Sequence, residues 1–142
     1  GVSREQALAC LVANLRQTAE AFAVLGIRVL CEAINPLDMP DFLLNTPEHL
    51  DELLRAVGHP NLQAQFDLYH MARQGLDIPA GIGHVQFADC PGRGEPGSGQ
   101  LDFSPLLQAL QASGYAGWLG AEYKPIQATE QSLAWLSDWQ AL

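Results

Sequence analysis

A chain of 142 residues is long enough to bury a core, and we expect residues 1–142 to form a single domain. A net charge of −9 argues against a nucleic-acid-binding surface and against binding to an anionic membrane. The sequence has no apolar run near the ~20 residues that a membrane span requires.

Helices and strands alternate along the chain. The predicted helices are 4–25, 46–57, a short piece at 71–76, 104–114 and 129–140. The predicted strands are 27–33, 62–70 (a range that includes the residues leaving the strand), 82–90 and 117–123. A glycine- and proline-rich loop is predicted at 91–100. Alternation of this kind predicts parallel strands joined by helical crossovers, with functional groups at the carboxyl ends of the strands.

Each predicted strand carries an oxygen-donor side chain on its polar face, near its carboxyl end. These four side chains are Glu32, Asp67, Gln86 and Glu122. Because crowded carboxylates are costly without compensation, the pattern favours a divalent cation with hard oxygen ligands. The alternative for any single acid is a helix N-cap or a solvated loop residue.

The three cysteines, Cys10, Cys31 and Cys90, have no CxxC spacing. Their odd number and irregular spacing favour reduced thiols in a cytoplasmic protein over a disulfide framework or a zinc site.

Four stretches together resemble the hydroxypyruvate isomerase family, within the xylose-isomerase-like TIM barrels. They are "CEAINPLDMP", "FDLYH", "HVQFADCPGRGEPGSGQLDF" and "GWLGAEYKP". The resemblance implies an α/β (β/α)8 barrel, of which this chain is the C-terminal half, roughly strands five to eight. The first residues, Gly-Val-Ser without methionine, also suggest a fragment.

The resemblance also implies roles for the strand-end residues. Glu32 and Glu122 are the expected catalytic pair and also metal ligands, and Asp67 is a further ligand. Gln86 takes the place at which the epimerase relatives carry histidine. Since glutamine is a neutral, weaker donor, Mg²⁺ or Mn²⁺ is expected rather than Zn²⁺.

The implied reaction interconverts hydroxypyruvate and tartronate semialdehyde through an enediolate, with the two glutamates as acid and base. The alternatives within the superfamily are a 2-oxo-tetronate isomerase and a ketose 3-epimerase. DNA repair is disfavoured by the acidic charge. A hypothesis of another class is an inactive half-barrel that serves only in binding or assembly.

Three further residues are candidate substrate ligands. His70 occupies a position that resembles a substrate-binding histidine of the relatives; the alternative is a loop histidine that caps the short helix. Lys124 and Arg93 could each receive the carboxylate of a small 2-keto acid or sugar acid, or be solvated surface cations. The loop that carries Arg93 is interpreted as a mobile lid.

Partners of two kinds are expected. Four strands would leave an open sheet with unpaired edges, so the chain should pair with a second copy or with a missing N-terminal half-barrel.

Overall fold

A computed structural model describes residues 1–75 and 82–139 of the chain. Ten elements follow one another in it. They are α1 (Arg4–Ala23), β1 (Val29–Glu32), α2 (Pro47–Val57), β2 (Leu62–Asp67), α3 (Leu68–Ala72), β3 (Ile82–Phe87), α4 (Phe103–Ala112), β4 (Leu119–Ala121), α5 (Thr129–Ser132) and α6 (Trp135–Trp139).

The four strands form one sheet in the order β1-β2-β3-β4, and the β1–β2 and β3–β4 pairs are parallel. The described residues separate into two compact units. The first contains 1–66 and 82–84, and the second contains 67–75 and 85–139. The predicted alternation of helices with parallel strands is confirmed.

In the first unit, α1 and α2 pack with β1 and β2 around one apolar cluster. Its buried members are Ala19, Ala33, Leu44, Leu50, Leu53, Val57 and Leu62. Local sequence signals set the helix ends in this unit. Ser3 and Gln6 form a capping box at the start of α1, Thr46 caps α2, and Gly58 ends α2 in the left-handed conformation.

In the second unit, aromatic rings form the core. The Phe87 ring centroid lies 5.2 Å from that of Trp135 and 4.8 Å from that of Trp139, and the two indoles are 4.7 Å apart. Phe103 of α4 joins them, 5.3 Å from Trp139. The two tryptophans, four residues apart, thus lie on one apolar face of the chain.

Several element bounds differ from the sequence prediction. The helix after β2 begins at Leu68 rather than at 71, because Asp67 caps it directly at the end of the strand. The last helix is broken into α5 and α6. The predicted ends at 76 and 140 lie outside the described residues.

Most of strand β4 is exposed to solvent. Trp118 is 87% exposed, and Leu119 and Ala121 are exposed as well. Within the described residues β4 lies at the end of the strand order, with β3 as its neighbour, so one of its long edges has no strand beside it.

Among the described residues, none of the helices combines the length and the apolar character needed to cross a membrane.

Candidate functional site

Glu32 is the last residue of β1 and belongs to the first unit. It is half-buried, and its Oε2 accepts a hydrogen bond from Gln65 Nε2 at 2.9 Å. Gln65 is its register partner on β2. The carboxylate thus ends a strand, as predicted, and an amide from the neighbouring strand orients it.

Asp67 is the last residue of β2 and also the N-cap of α3. Its Oδ1 accepts the backbone N–H of Tyr69 at 2.9 Å, and the residue is 1% exposed. For this acid, a capping role and a ligand role were the alternatives. Asp67 does cap a helix, through one of its two oxygens.

The other oxygen of Asp67 shares a single cationic nitrogen with Glu122. Arg93 Nη2 lies 3.2 Å from Asp67 Oδ2 and 2.8 Å from Glu122 Oε2. The guanidinium also lies over the ring of Tyr69, 5.1 Å from its centroid. Arg93 is therefore not the solvated surface cation that the sequence left open, since it bridges two of the predicted strand-end carboxylates.

His70 is buried in α3 rather than placed in a loop, so the loop alternative is wrong. Its Nε2 lies 3.7 Å from Asp67 Oδ2, and its ring packs edge-on against Tyr69 at 5.4 Å. The i, i+3 spacing brings it to the same face of the chain as Asp67 because the helix begins immediately after the strand.

Burial raises the pKa of Asp67 to about 6 from an ordinary value of 3.8. The Tyr69 N–H and the Arg93 guanidinium lower this pKa, and the charge of Glu122 raises it. Desolvation dominates because the ionised carboxylate loses water that one backbone donor and one partly exposed guanidinium replace only in part.

Gln86 and Lys124, the two remaining predicted site residues, lie on or next to β3 and β4. Gln86 is half-buried on β3 opposite Gly120 of β4, and Glu122 follows Gly120 by two residues. The backbone N–H of Lys124 donates to the carbonyl of Arg93 at 2.7 Å, while the lysine itself is exposed. Arg93 and Lys124 are thus fixed to each other through their main chains.

The carboxylates of Asp67 and Glu122 are suitable ligands for a hard divalent cation. Two carboxylate oxygens from the ends of β2 and β4 already converge on one positively charged atom, and carboxylate oxygens are the ligands that Mg²⁺ and Mn²⁺ prefer. The structure also corrects the sequence argument, because a guanidinium can compensate these two carboxylates. Their convergence by itself does not require a metal ion.

The glycine-rich loop at 91–100, which the sequence analysis interprets as a mobile lid, is held by hydrogen bonds to two buried acids. The buried Glu95 accepts the backbone N–H of Ile126 at 3.0 Å through Oε2. The fully buried Asp89 accepts three backbone N–H groups of the same loop region. Both acids were missed in the sequence analysis, because their partners are backbone N–H groups, which no residue-type pattern marks.

A family model described as "Xylose isomerase-like TIM barrel" matches residues 1–139. This chain belongs to the xylose isomerase-like TIM barrel family. The membership agrees with the parallel strands, and TIM barrels in general carry their active sites at the carboxyl ends of their strands.

Relatives within the xylose isomerase-like family carry isomerase names. The chain is 40% identical to hydroxypyruvate isomerase of Escherichia coli K12, with 99% of this chain and 57% of the relative covered. It is 38% identical to 2-oxo-tetronate isomerase of Cupriavidus necator, with 96% and 55% covered. The chain thus spans little more than half the length of these curated relatives.

Solved structures of the family share the fold. The chain superposes with a TM-score of 0.91 on a Brucella melitensis protein titled AP endonuclease, family 2, at 34% identity, covering 98% of this chain and 57% of that one. A 3-keto-D-glucoside 4-epimerase from E. coli gives a TM-score of 0.77 at 28% identity, with 96% and 56% covered.

Proposed function

We propose that this chain forms part of an isomerase of small 2-keto acids, with the interconversion of hydroxypyruvate and tartronate semialdehyde as its reaction. The observation that carries the proposal is the convergence of Asp67 and Glu122 on Arg93 at the ends of two strands. The names of the most similar relatives favour the same substrate class.

Glu122 and Glu32 are the proposed acid and base. Glu122 has a side chain that is 51% exposed and oriented by Arg93, so it can reach a bound substrate while it keeps a fixed position. One glutamate removes a proton from the hydroxymethyl carbon of hydroxypyruvate. The hydroxyl proton moves from the C3 oxygen to the C2 oxygen of the enediolate, and the same glutamate or its partner returns a proton to the former carbonyl carbon, which gives the semialdehyde.

Glu32, Asp67, Gln86 and Glu122 are the proposed ligands of a divalent ion, Mg²⁺ or Mn²⁺. All four are oxygen donors at or near the carboxyl ends of their strands, a pattern that favours these hard cations. When bound, the ion would supply stabilisation of the negative charge that develops on the substrate oxygens.

Substrate binding is assigned to His70, Arg93 and Lys124. Arg93 and Lys124 provide two positive charges whose main chains are joined, and together they suit one substrate carboxylate. His70 lies beside Asp67, where an imidazole can hydrogen-bond a substrate oxygen.

Completion of the barrel is a further part of the proposal. A (β/α)8 barrel takes about 250 residues, and the chain spans 57% of one relative and 55% of another. The four strands described here are the proposed strands five to eight. Either an N-terminal half-barrel or a second copy of the chain supplies the remaining wall. The competing hypothesis is an inactive half-barrel that serves as a binding or assembly module.

The substrate assignment is tested with the native gene product that contains this chain. We expect turnover of hydroxypyruvate that is lost with chelator and restored by Mg²⁺ or Mn²⁺. Parallel assays with a 2-oxo-tetronate and with a ketohexose separate the two alternatives within the superfamily. Conversion of none of the three substrates, or activity that a chelator leaves intact, would overturn the assignment.

The role of Glu122 is tested by Glu122→Gln. We expect a loss of turnover of roughly 10²–10⁴-fold, the usual share of general acid–base catalysis, because the amide cannot accept the substrate proton. The matched control is Glu20→Gln, which neutralises an exposed glutamate of α1. Turnover in Glu122→Gln equal to that of the control would show that another residue is the base.

A further inference from the structure

Asp89 lies two residues beyond β3 and is fully buried. Its Oδ1 accepts the N–H groups of Cys90 at 2.7 Å and Leu101 at 3.0 Å, and its Oδ2 accepts the N–H of Gly97 at 2.8 Å. A buried carboxylate needs such partners to offset the loss of hydration. Here the loop itself provides them, so the carboxylate is the centre around which the loop folds.

The loop from Cys90 to Leu101 closes tightly on this carboxylate. The Asp89 N–H donates to the Gly94 carbonyl at 2.9 Å, and the Gln100 N–H donates to the Cys90 carbonyl at 2.8 Å. A Cβ at Gly99 would collide with Asp89 Oδ1 and would lie 2.7 Å from the Cys90 carbonyl oxygen. Glycine is therefore required at this position by the close approach of the carboxylate.

Arg93 stands at the outer turn of the same loop. Its backbone is left-handed, with φ of 56°, and its carbonyl accepts the Lys124 N–H. A non-glycine residue in this conformation is uncommon and is held there by its surroundings. The loop thereby delivers the guanidinium to Asp67 and Glu122.

We propose that Asp89 is a positioning residue, which holds the loop in the shape that places Arg93 between Asp67 and Glu122. Its effect on an anionic substrate passes through Arg93, and this part rests on the proposed function. The placement of the guanidinium itself does not depend on any activity.

An amide cannot replace this carboxylate. Asparagine has one accepting oxygen, so its NH₂ group would face a backbone N–H on one side, donor against donor. The matched control is Asp102→Asn. Asp102 caps α4 by accepting the Ser104 N–H, and asparagine is as good an N-cap as aspartate.

The first measurement follows the Arg93 guanidinium signals by ¹H–¹⁵N NMR in the chelator-treated native gene product that contains this chain. A guanidinium held by two carboxylates has restricted rotation and slowed proton exchange. We expect these features in the parent and in Asp102→Asn, and their loss in Asp89→Asn. Gly99→Ala, which keeps every hydrogen-bonding group of the loop, should lose them too. Unchanged Arg93 signals in folded Asp89→Asn, or unfolding of both loop variants, would overturn the proposal.

The second measurement is a double-mutant cycle on the KM of the anionic substrate. Asp89→Asn should raise KM about tenfold with a much smaller change in kcat, and should have no further effect in an Arg93→Gln background, because interacting residues are not additive. Additive effects would assign Asp89 a general structural role instead. If no substrate turns over, the proposed function fails, while the NMR result still decides whether Asp89 positions Arg93.

Discussion

The two carboxylate oxygens of Asp67 have different partners. One oxygen caps α3, and the other faces Arg93 and His70. Burial raises its pKa to about 6, so the folded chain takes up a proton at a higher pH than the unfolded chain does. Stability contributed by the protonated form is therefore fully present below about pH 4 and is lost as the pH rises through about 6.

Asp67→Asn should remove this pH dependence. The amide is neutral at every pH, so the free energy of unfolding should fall between about pH 4 and 6 in the parent by more than in the variant. The difference is on the order of 2–3 kcal/mol for a shift of this size. Urea unfolding in chelator at several pH values measures it. Asp51→Asn, at an exposed position of α2, should keep the parent's slope; an equal slope in Asp67→Asn would contradict the expectation.

The sequence allowed the strand-end acids to be identified, but not their immediate partners. Glu32, Asp67 and Glu122 could be assigned to strand ends because β-rich runs and period-2 alternation are signals that local sequence carries. The bridging place of Arg93 depends on contacts with residues 26 and 29 positions away, which no local pattern encodes. Asp89 was missed because its partners are backbone groups, which leave no residue-type signal.

Among the elements, we attribute the break between α5 and α6 to the hydroxyl of Tyr123. The Tyr123 hydroxyl bonds to the Ser132 carbonyl at 3.0 Å, and Trp135 Nε1 donates to the same hydroxyl at 3.3 Å. The tyrosine takes a carbonyl that a continuous helix would have used for its own backbone. The sequence predicted one helix over 129–140 because local helix signals do not include this side-chain competition.

Tyr123→Phe should destabilise the second unit by roughly 1–3 kcal/mol, since it leaves the Ser132 carbonyl and the Trp135 indole N–H without their partner. Urea unfolding followed by circular dichroism measures the change. The control is Ser137→Ala, which removes an exposed hydroxyl in α6 and should shift stability by less than about 0.5 kcal/mol. An effect of Tyr123→Phe as small as that of the control would show that the hydroxyl does not set the break.

For the whole molecule, the main feature is the apolar surface that each unit exposes. Val24, Leu25 and Ile27 of the first unit are 85%, 66% and 49% exposed. Trp118 and Ile126 of the second unit are 87% and 69% exposed. Exposed apolar residues in such groups are typical of surfaces that another polypeptide covers. The α/β class could be predicted from the βα rhythm, whereas the exposure of β4 could not, because it depends on which strands lie beside it.

The chain alone should therefore associate. We expect size-exclusion chromatography with light scattering to show a dimer or larger species, or poor solubility, because an exposed strand edge pairs readily with another. Leu119→Lys should shift the chain towards a monomer by placing a charge on β4. Val2→Lys, at an exposed apolar position before α1, is the control. A monodisperse monomer of the parent with full isomerase activity would contradict the half-barrel proposal.

Because Trp118 is exposed, its intrinsic fluorescence can report on the surroundings of β4. Its indole is open to solvent beside β4, whereas Trp135 and Trp139 are half-buried against Phe87. A collisional quencher such as acrylamide should therefore reach one fluorophore readily and the other two poorly. Any polypeptide that covers the edge of β4 should remove the readily quenched fraction and shift that emission to the blue, so the completion of the sheet can be followed without a label.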